Sequence, residues 1–187
     1  MVRVSFWQRA LGFILAIALG WSSFSGVAGA SLTDDHFDGN IFALYAGNGS
    51  LVPPKVTLAQ SLERDKPTLL VLYINDSRDC KQFATVLSQL QSFYGRAADF
   101  IPIDVDALPI NATFGPTDPG YYYRGVVPQT ILLDAAGQER LNVAGAVSFE
   151  VVDDAFREVF NLLPRSQSID LKPRSVNEIN TELVSPS

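Results

Sequence analysis

One segment constrains this chain more than any other: Thr68-Leu69-Leu70-Val71-Leu72-Tyr73-Ile74. Its apolar residues do not alternate with polar ones, the pattern of a strand covered on both faces. A polar turn follows, Asn75-Asp76-Ser77-Arg78-Asp79, and Cys80 then opens a stretch to Tyr94 with Phe83, Leu87, Leu90 and Tyr94 at helical spacing. Gly95 stands where a C-terminal cap belongs. Phe100-Ile101-Pro102-Ile103-Asp104 reads as the next strand. Pro102 has no N–H for a ladder, which places that strand at a sheet edge.

The flanks complete the pattern. Thr57-Leu58-Ala59-Gln60 is a capping box that predicts a short helix from Leu58 to about Arg64, ended by Asp65-Lys66-Pro67. Ala107 to Tyr123 reads as loop. Thr130 to Leu133 and Leu141 to Ala144, joined through Ala135-Ala136-Gly137-Gln138, predict an antiparallel hairpin. Ser148 starts a last helix with the stripe Val152, Phe156, Val159 and Leu163, and Pro164 stops it. Strand, helix, strand, loop, hairpin and helix predict an α/β domain over residues 56–164, a mixed central sheet with helices on both faces. Residues 31–55 form an irregular lead-in whose one apolar run, Ile41 to Ala46, is expected to add an edge strand. Arg165 to Ser187 is polar, lacks periodicity and reads as a disordered tail.

Met1 to Ala30 has the three parts of a secretory signal: Arg3 and Arg9, an apolar stretch from Ala10 to Trp21, and Ala28-Gly29-Ala30. Retention as a signal anchor, with membrane association, is the alternative. Cleavage would remove Arg3 and Arg9 and take the formal net charge from −6 to −8. Such an acidic surface argues against nucleic acid as a partner. A single cysteine rules out an internal disulfide, so the core must hold the fold. His36 beside Asp34 and Asp35 is a poor ligand set, and no metal or cofactor is expected.

Three pieces in order resemble the thioredoxin-like superfamily over about Val56 to Pro164: Asp76-Ser77-Arg78-Asp79-Cys80-Lys81, Ile103-Asp104-Val105-Asp106 and Val127-Pro128-Gln129-Thr130. The resemblance implies a thioredoxin-like fold in which the Val127–Pro128 bond is cis and the backbone before it pairs with an extended peptide. It also marks departures. Ser77 stands in place of the nucleophilic cysteine, Asp76 in place of a tryptophan, and Val71 in place of a buried carboxylate. Dithiol exchange needs an attacking thiolate and a resolving thiol, and only the resolving position, Cys80, is filled. More narrowly, the export signal, the lone cysteine in the turn and Gly125-Val126-Val127-Pro128-Gln129-Thr130 resemble the thioredoxin-like photosystem I accumulation factors of cyanobacterial thylakoids. That resemblance implies a protein of the thylakoid lumen, or of the lumenal side of the thylakoid membrane. Its partner would be a membrane protein complex, photosystem I subunits or assembly intermediates. The bacterial periplasm is the alternative location.

Two functional readings stand. In the first, a non-catalytic binding or assembly factor uses a groove formed by Asp76, Ser77, Arg78, Asp79, Lys81, Tyr121, Tyr122, Tyr123, Arg124, Val127, Pro128 and Gln129. Tyrosine and arginine favour interfaces, although the tyrosines would equally serve to cover the sheet. In the second, Cys80 acts as a monothiol on a client. A helix N-terminus with Arg78 and Lys81 nearby favours a thiolate, while Asp76, Asp79 and burial on a core face oppose it. Ser77 or Asp76 is expected to cap the helix rather than to react, since no base is placed beside either.

Overall fold

Strand β1, Thr68–Tyr73, is buried at every position, because it lies inside a four-stranded sheet of order β2-β1-β3-β4. The computed structural model describes residues 39–110 and 113–168. The expected signal segment, His36 with its acids, and everything beyond Ser168 lie outside the described residues. β2, Asp99–Asp104, pairs with β1 in parallel, from Thr68↔Asp99 to Tyr73↔Asp104. β3, Gln129–Leu133, runs antiparallel to β1 from Leu72↔Gln129 to Thr68↔Leu133. β4, Glu139–Ala144, closes the hairpin with an irregularity between Leu132 and Leu133. Pro102 is thus in an edge strand, as its missing N–H requires. This register brings the C-terminal ends of β1 and β2 and the N-terminal end of β3 to one end of the sheet.

Period-two geometry hidden in the apolar run divides β1 between two cores. Leu69, Val71 and Tyr73 join Leu132 under three helices: α1 (Ile41–Ala46), α3 (Arg78–Tyr94) and α4 (Phe149–Val159). Leu70 and Leu72 join Ile101, Ile131 and Leu133 on the opposite face. That face is covered by α2 (Leu58–Glu63) and a single 3₁₀ turn, Pro119–Tyr122. The sheet is mixed and covered on both faces. The Thr57 capping box forms, with Gln60 N–H donating to Thr57 Oγ1 at 3.2 Å and Thr57 N–H to Gln60 Oε1 at 3.0 Å. Gly95 caps α3 in right-handed conformation. A Cβ there would meet Gln91 O at 2.6 Å, so close approach, not a positive φ, demands glycine.

Two expectations are overturned. Ile41–Ala46 is a helix, not an added edge strand. Asn40 accepts from Phe42 N–H at 3.0 Å, and Gly47 ends the turn at φ 60°. Only the adjacent pair Ile41 and Phe42 of this helix is buried. The tail does not begin as disorder at Arg165. Arg157 Nη1 donates to Leu163 O at 2.8 Å and to Ser168 Oγ at 2.7 Å, while Arg165 pairs with Asp154 at 2.8 Å. These contacts fold Arg165–Ser168 back on α4. Leu163 lies past the helix and is exposed, so the stripe ends at Val159.

Beneath α4, Asp153 is buried between Tyr94, whose hydroxyl donates at 2.5 Å, and Arg157 Nε at 2.8 Å. Burial, with the Asp153 carboxylate next, pushes the Tyr94 hydroxyl well above its ordinary value. No helix among the described residues is long and apolar enough to cross a membrane.

Candidate functional site: the turn before α3 and the loop before β3

The site lies where β1 hands over to α3. Ser77 has extended backbone and accepts the Cys80 N–H on its Oγ at 3.3 Å, so it is the cap of α3. The helix starts at Arg78, which places Cys80 in its first turn. Asn75 braces the turn from below. It donates to Asp104 Oδ2 at 2.8 Å, tying β1 to β2, and accepts Ile41 N–H at 3.2 Å, tying both to α1. Asn40 adds a bond of 2.7 Å to the Tyr73 hydroxyl.

Cys80 is a free thiol and only 1% exposed. It shares its core with Ile41, Phe42, Tyr73 and Phe83. Burial pushes its thiol upward, and the nearby Asp79 and Asp104 carboxylates push the same way. Hydrogen bonds from Ser77 and the Ile74 backbone offset this only in part. The expected stabilisation of a thiolate by the helix terminus and neighbouring cations does not prevail. α1 lies against the first turn of α3, with the Lys81 ammonium 5.5 Å from the Tyr45 ring centre.

Across β1, the loop before β3 meets the same end of the sheet. The Val127–Pro128 peptide is cis, as is Val52–Pro53 in the lead-in, which the sequence did not flag. Pro128 is buried and Val127 half-buried. Neither the N–H nor the C=O of Val127 bonds to another described residue. Gly125, at φ 81°, turns the chain, and Val126 after it stands 49% exposed.

The residues that the sequence assigns to a groove differ in exposure. Asp76, Arg78, Asp79, Tyr121, Tyr123 and Arg124 are exposed, and Ser77 and Val127 are half-buried, Val127 with its backbone groups unpaired among the described residues. Lys81 is 5% exposed and Tyr122 9%, so neither presents a side chain to a partner. The Tyr122 hydroxyl instead donates to Pro116 O at 2.9 Å while its ring packs in the core with Leu58 and Ile131.

Gln129 is wholly buried and acts as a girder. Its Nε2 donates to Tyr122 O at 2.7 Å and to Asn142 Oδ1 at 2.8 Å, while its Oε1 accepts Arg124 N–H at 2.9 Å. The roles of Gln129, Asn75 and Asn40 were not legible in the sequence. The only signal was a polar side chain at each junction between a buried strand and a loop.

A β1–α3–β2 unit, a cis-proline opening β3, a hairpin and a closing helix on the same face as α3 make a thioredoxin-like domain. Its site holds one buried thiol. Over 159 residues, 85% of this chain and 79% of the relative, the sequence is 55% identical to the thylakoid membrane protein slr1796 of Synechocystis sp.. The chain belongs to the family of that protein. No family model matches it. Among solved structures, a malarial protein aligns with a TM-score of 0.42 at 17% identity, covering 50% of this chain and 96% of the other. A yeast mitochondrial 1-Cys peroxiredoxin, solved for its thiol-resolving mechanism, aligns at 0.40 and 16%, covering 56% and 86%.

Proposed function

We propose that this chain is a non-catalytic thioredoxin-like factor on the lumenal side of the thylakoid membrane. It binds a segment of a membrane protein complex, photosystem I or an assembly intermediate, and supports accumulation of that complex. The thylakoid setting is supported by the name of the 55% identical relative. Photosystem I is supported by the narrower sequence resemblance. One observation carries the non-catalytic reading: Cys80 is buried, while Val127, which packs against the same core, keeps backbone groups unpaired among the described residues, in a loop that also carries the exposed Tyr123 and Val126. An extended segment laid along Val127 gains main-chain hydrogen bonds, and the side chains around it give selectivity.

Two variants in cells test this. Cys80→Ser is expected to leave photosystem I levels and client co-purification unchanged. Tyr123→Ala with Val126→Ser is expected to lower both while the melting temperature of the purified protein holds. Loss of function in Cys80→Ser with the fold intact would overturn the proposal in favour of a monothiol acting on a client.

A further inference from the structure

The groove carries charge as well as apolar surface. On one side of Val127 stand the exposed Tyr121, Tyr123 and Val126. On the other, Asp79 and Asp104 both act on Cys80, Asp106 N–H donates to Asp104 Oδ1 at 3.1 Å, and Asp76 lies in the turn that follows β1. Asp104 is held by the Asn75 amide. Asp76, Asp79 and Asp106 are exposed and have no ion-pair partner among the described residues. Of the nearby cations, Arg124 already faces Glu139 at 3.8 Å, Lys81 is buried against the Tyr45 ring, and Arg78 is exposed on the turn itself. Unpaired rim charges of one sign steer and select a partner of the opposite sign.

Resting on the groove reading above, we infer that the captured segment is an extended peptide of a partner protein carrying both basic and apolar side chains. Its backbone pairs at Val127 and its apolar residues cover Tyr123 and Val126. Its lysines or arginines face the Asp76, Asp79 and Asp106 rim. In an extended strand successive side chains point to opposite sides, so a single segment satisfies both surfaces.

The test uses the purified full chain and three fluorescein-labelled peptides, alternating Val with Lys, with Ser or with Glu. Binding is read by anisotropy from low salt to about 1 M, where the Debye length falls to about 3 Å. The Lys peptide is expected to bind best, and its affinity to fall steeply with salt. An exposed ion pair is worth a factor of about two, so Asp76→Asn, Asp79→Asn and Asp106→Asn together should weaken it roughly five- to tenfold. The Ser peptide should be unaffected by those changes but lost in Tyr123→Ala with Val126→Ser. Glu63→Gln, on α2 away from the groove, should change nothing.

Equal binding of the Lys and Ser peptides, or a triple variant that binds like wild type, would refute the charge selection and leave the groove standing. Absence of binding by all three peptides would overturn both. Tighter Lys-peptide binding in Lys172→Gln with Arg174→Gln would give the groove to the chain's own tail and refute an outside partner.

Discussion

Truncating Phe42 to alanine tests whether α1 is what closes the Cys80 site. Phe42 is 1% exposed and meets the Tyr73 ring edge-on, with centroids 4.9 Å apart. Burial of such a side chain stabilises by about 2 kcal/mol, and an edge-to-face pair adds about 1 kcal/mol. Docking of α1 should therefore weaken by about 3 kcal/mol, a factor of roughly one hundred in its opening equilibrium. The assay is the rate of Cys80 labelling by an aromatic disulfide in native buffer. Where closing is faster than reaction, that rate follows the population of the open form. Wild type should label slowly, because the thiol is covered and its pKa is raised, and Phe42→Ala should label about a hundredfold faster. The urea dependence of labelling should be shallow, as local opening exposes little surface. A rate within about threefold of wild type would refute the reasoning. So would faster labelling with the full urea dependence of global unfolding, since the whole core rather than α1 would then be the seal.

Three further outcomes follow from the same geometry. Gln129→Ala should orphan Arg124 N–H and Tyr122 O and cost about 2–3 kcal/mol; amide hydrogen exchange at Arg124 should quicken before the sheet exchanges. Thr130 Oγ1 is buried with no partner among the described residues, so Thr130→Val should raise stability by about 1 kcal/mol in urea titration, and a loss would show a hidden partner. Burial alone would raise the Asp99 carboxyl, but hydrogen bonds from Lys66 and Ser61 and the charges of Lys66 and Arg64 hold it below its ordinary value. A depressed carboxyl contributes stability above its unfolded pKa and loses it as pH falls through the folded one. The urea midpoint should therefore drop below about pH 4, and Asp99→Asn should flatten that drop.

Much of the fold was legible because backbone chemistry is local. The strand at Thr68, the Thr57 capping box, Pro102 at an edge and the β3–β4 hairpin each follow from a few adjacent residues. Ser77 as the α3 cap was readable for the same reason. Ile41 to Ala46 was misread because a six-residue apolar run has no period long enough to separate strand from helix. What settles it is Asn40 and Gly47 at its two ends together with the surface that Tyr73 offers across the chain. The tail was misread at Arg165–Ser168 because polar composition says nothing about a buried Arg157 waiting for a carbonyl.

Within the candidate site the division is similar. That only one thiol is present, and that Ser77 caps α3, are properties of residue identity and neighbours. Which side chains face outward was not decided there. Tyr121, Tyr122 and Tyr123 are consecutive and chemically alike, yet the 3₁₀ turn at Pro119–Tyr122 sends the middle ring into the core. Lys81 resembles any surface lysine in sequence, yet it is 5% exposed, with its ammonium over the Tyr45 ring of α1. Local pattern specifies backbone conformation through sterics and hydrogen bonding along a few residues. Exposure, and hence what a surface can bind, depends on which distant element comes to lie on top: at Cys80 the core includes Ile41 and Phe42 of α1, and at Tyr122 it includes Leu58 of α2.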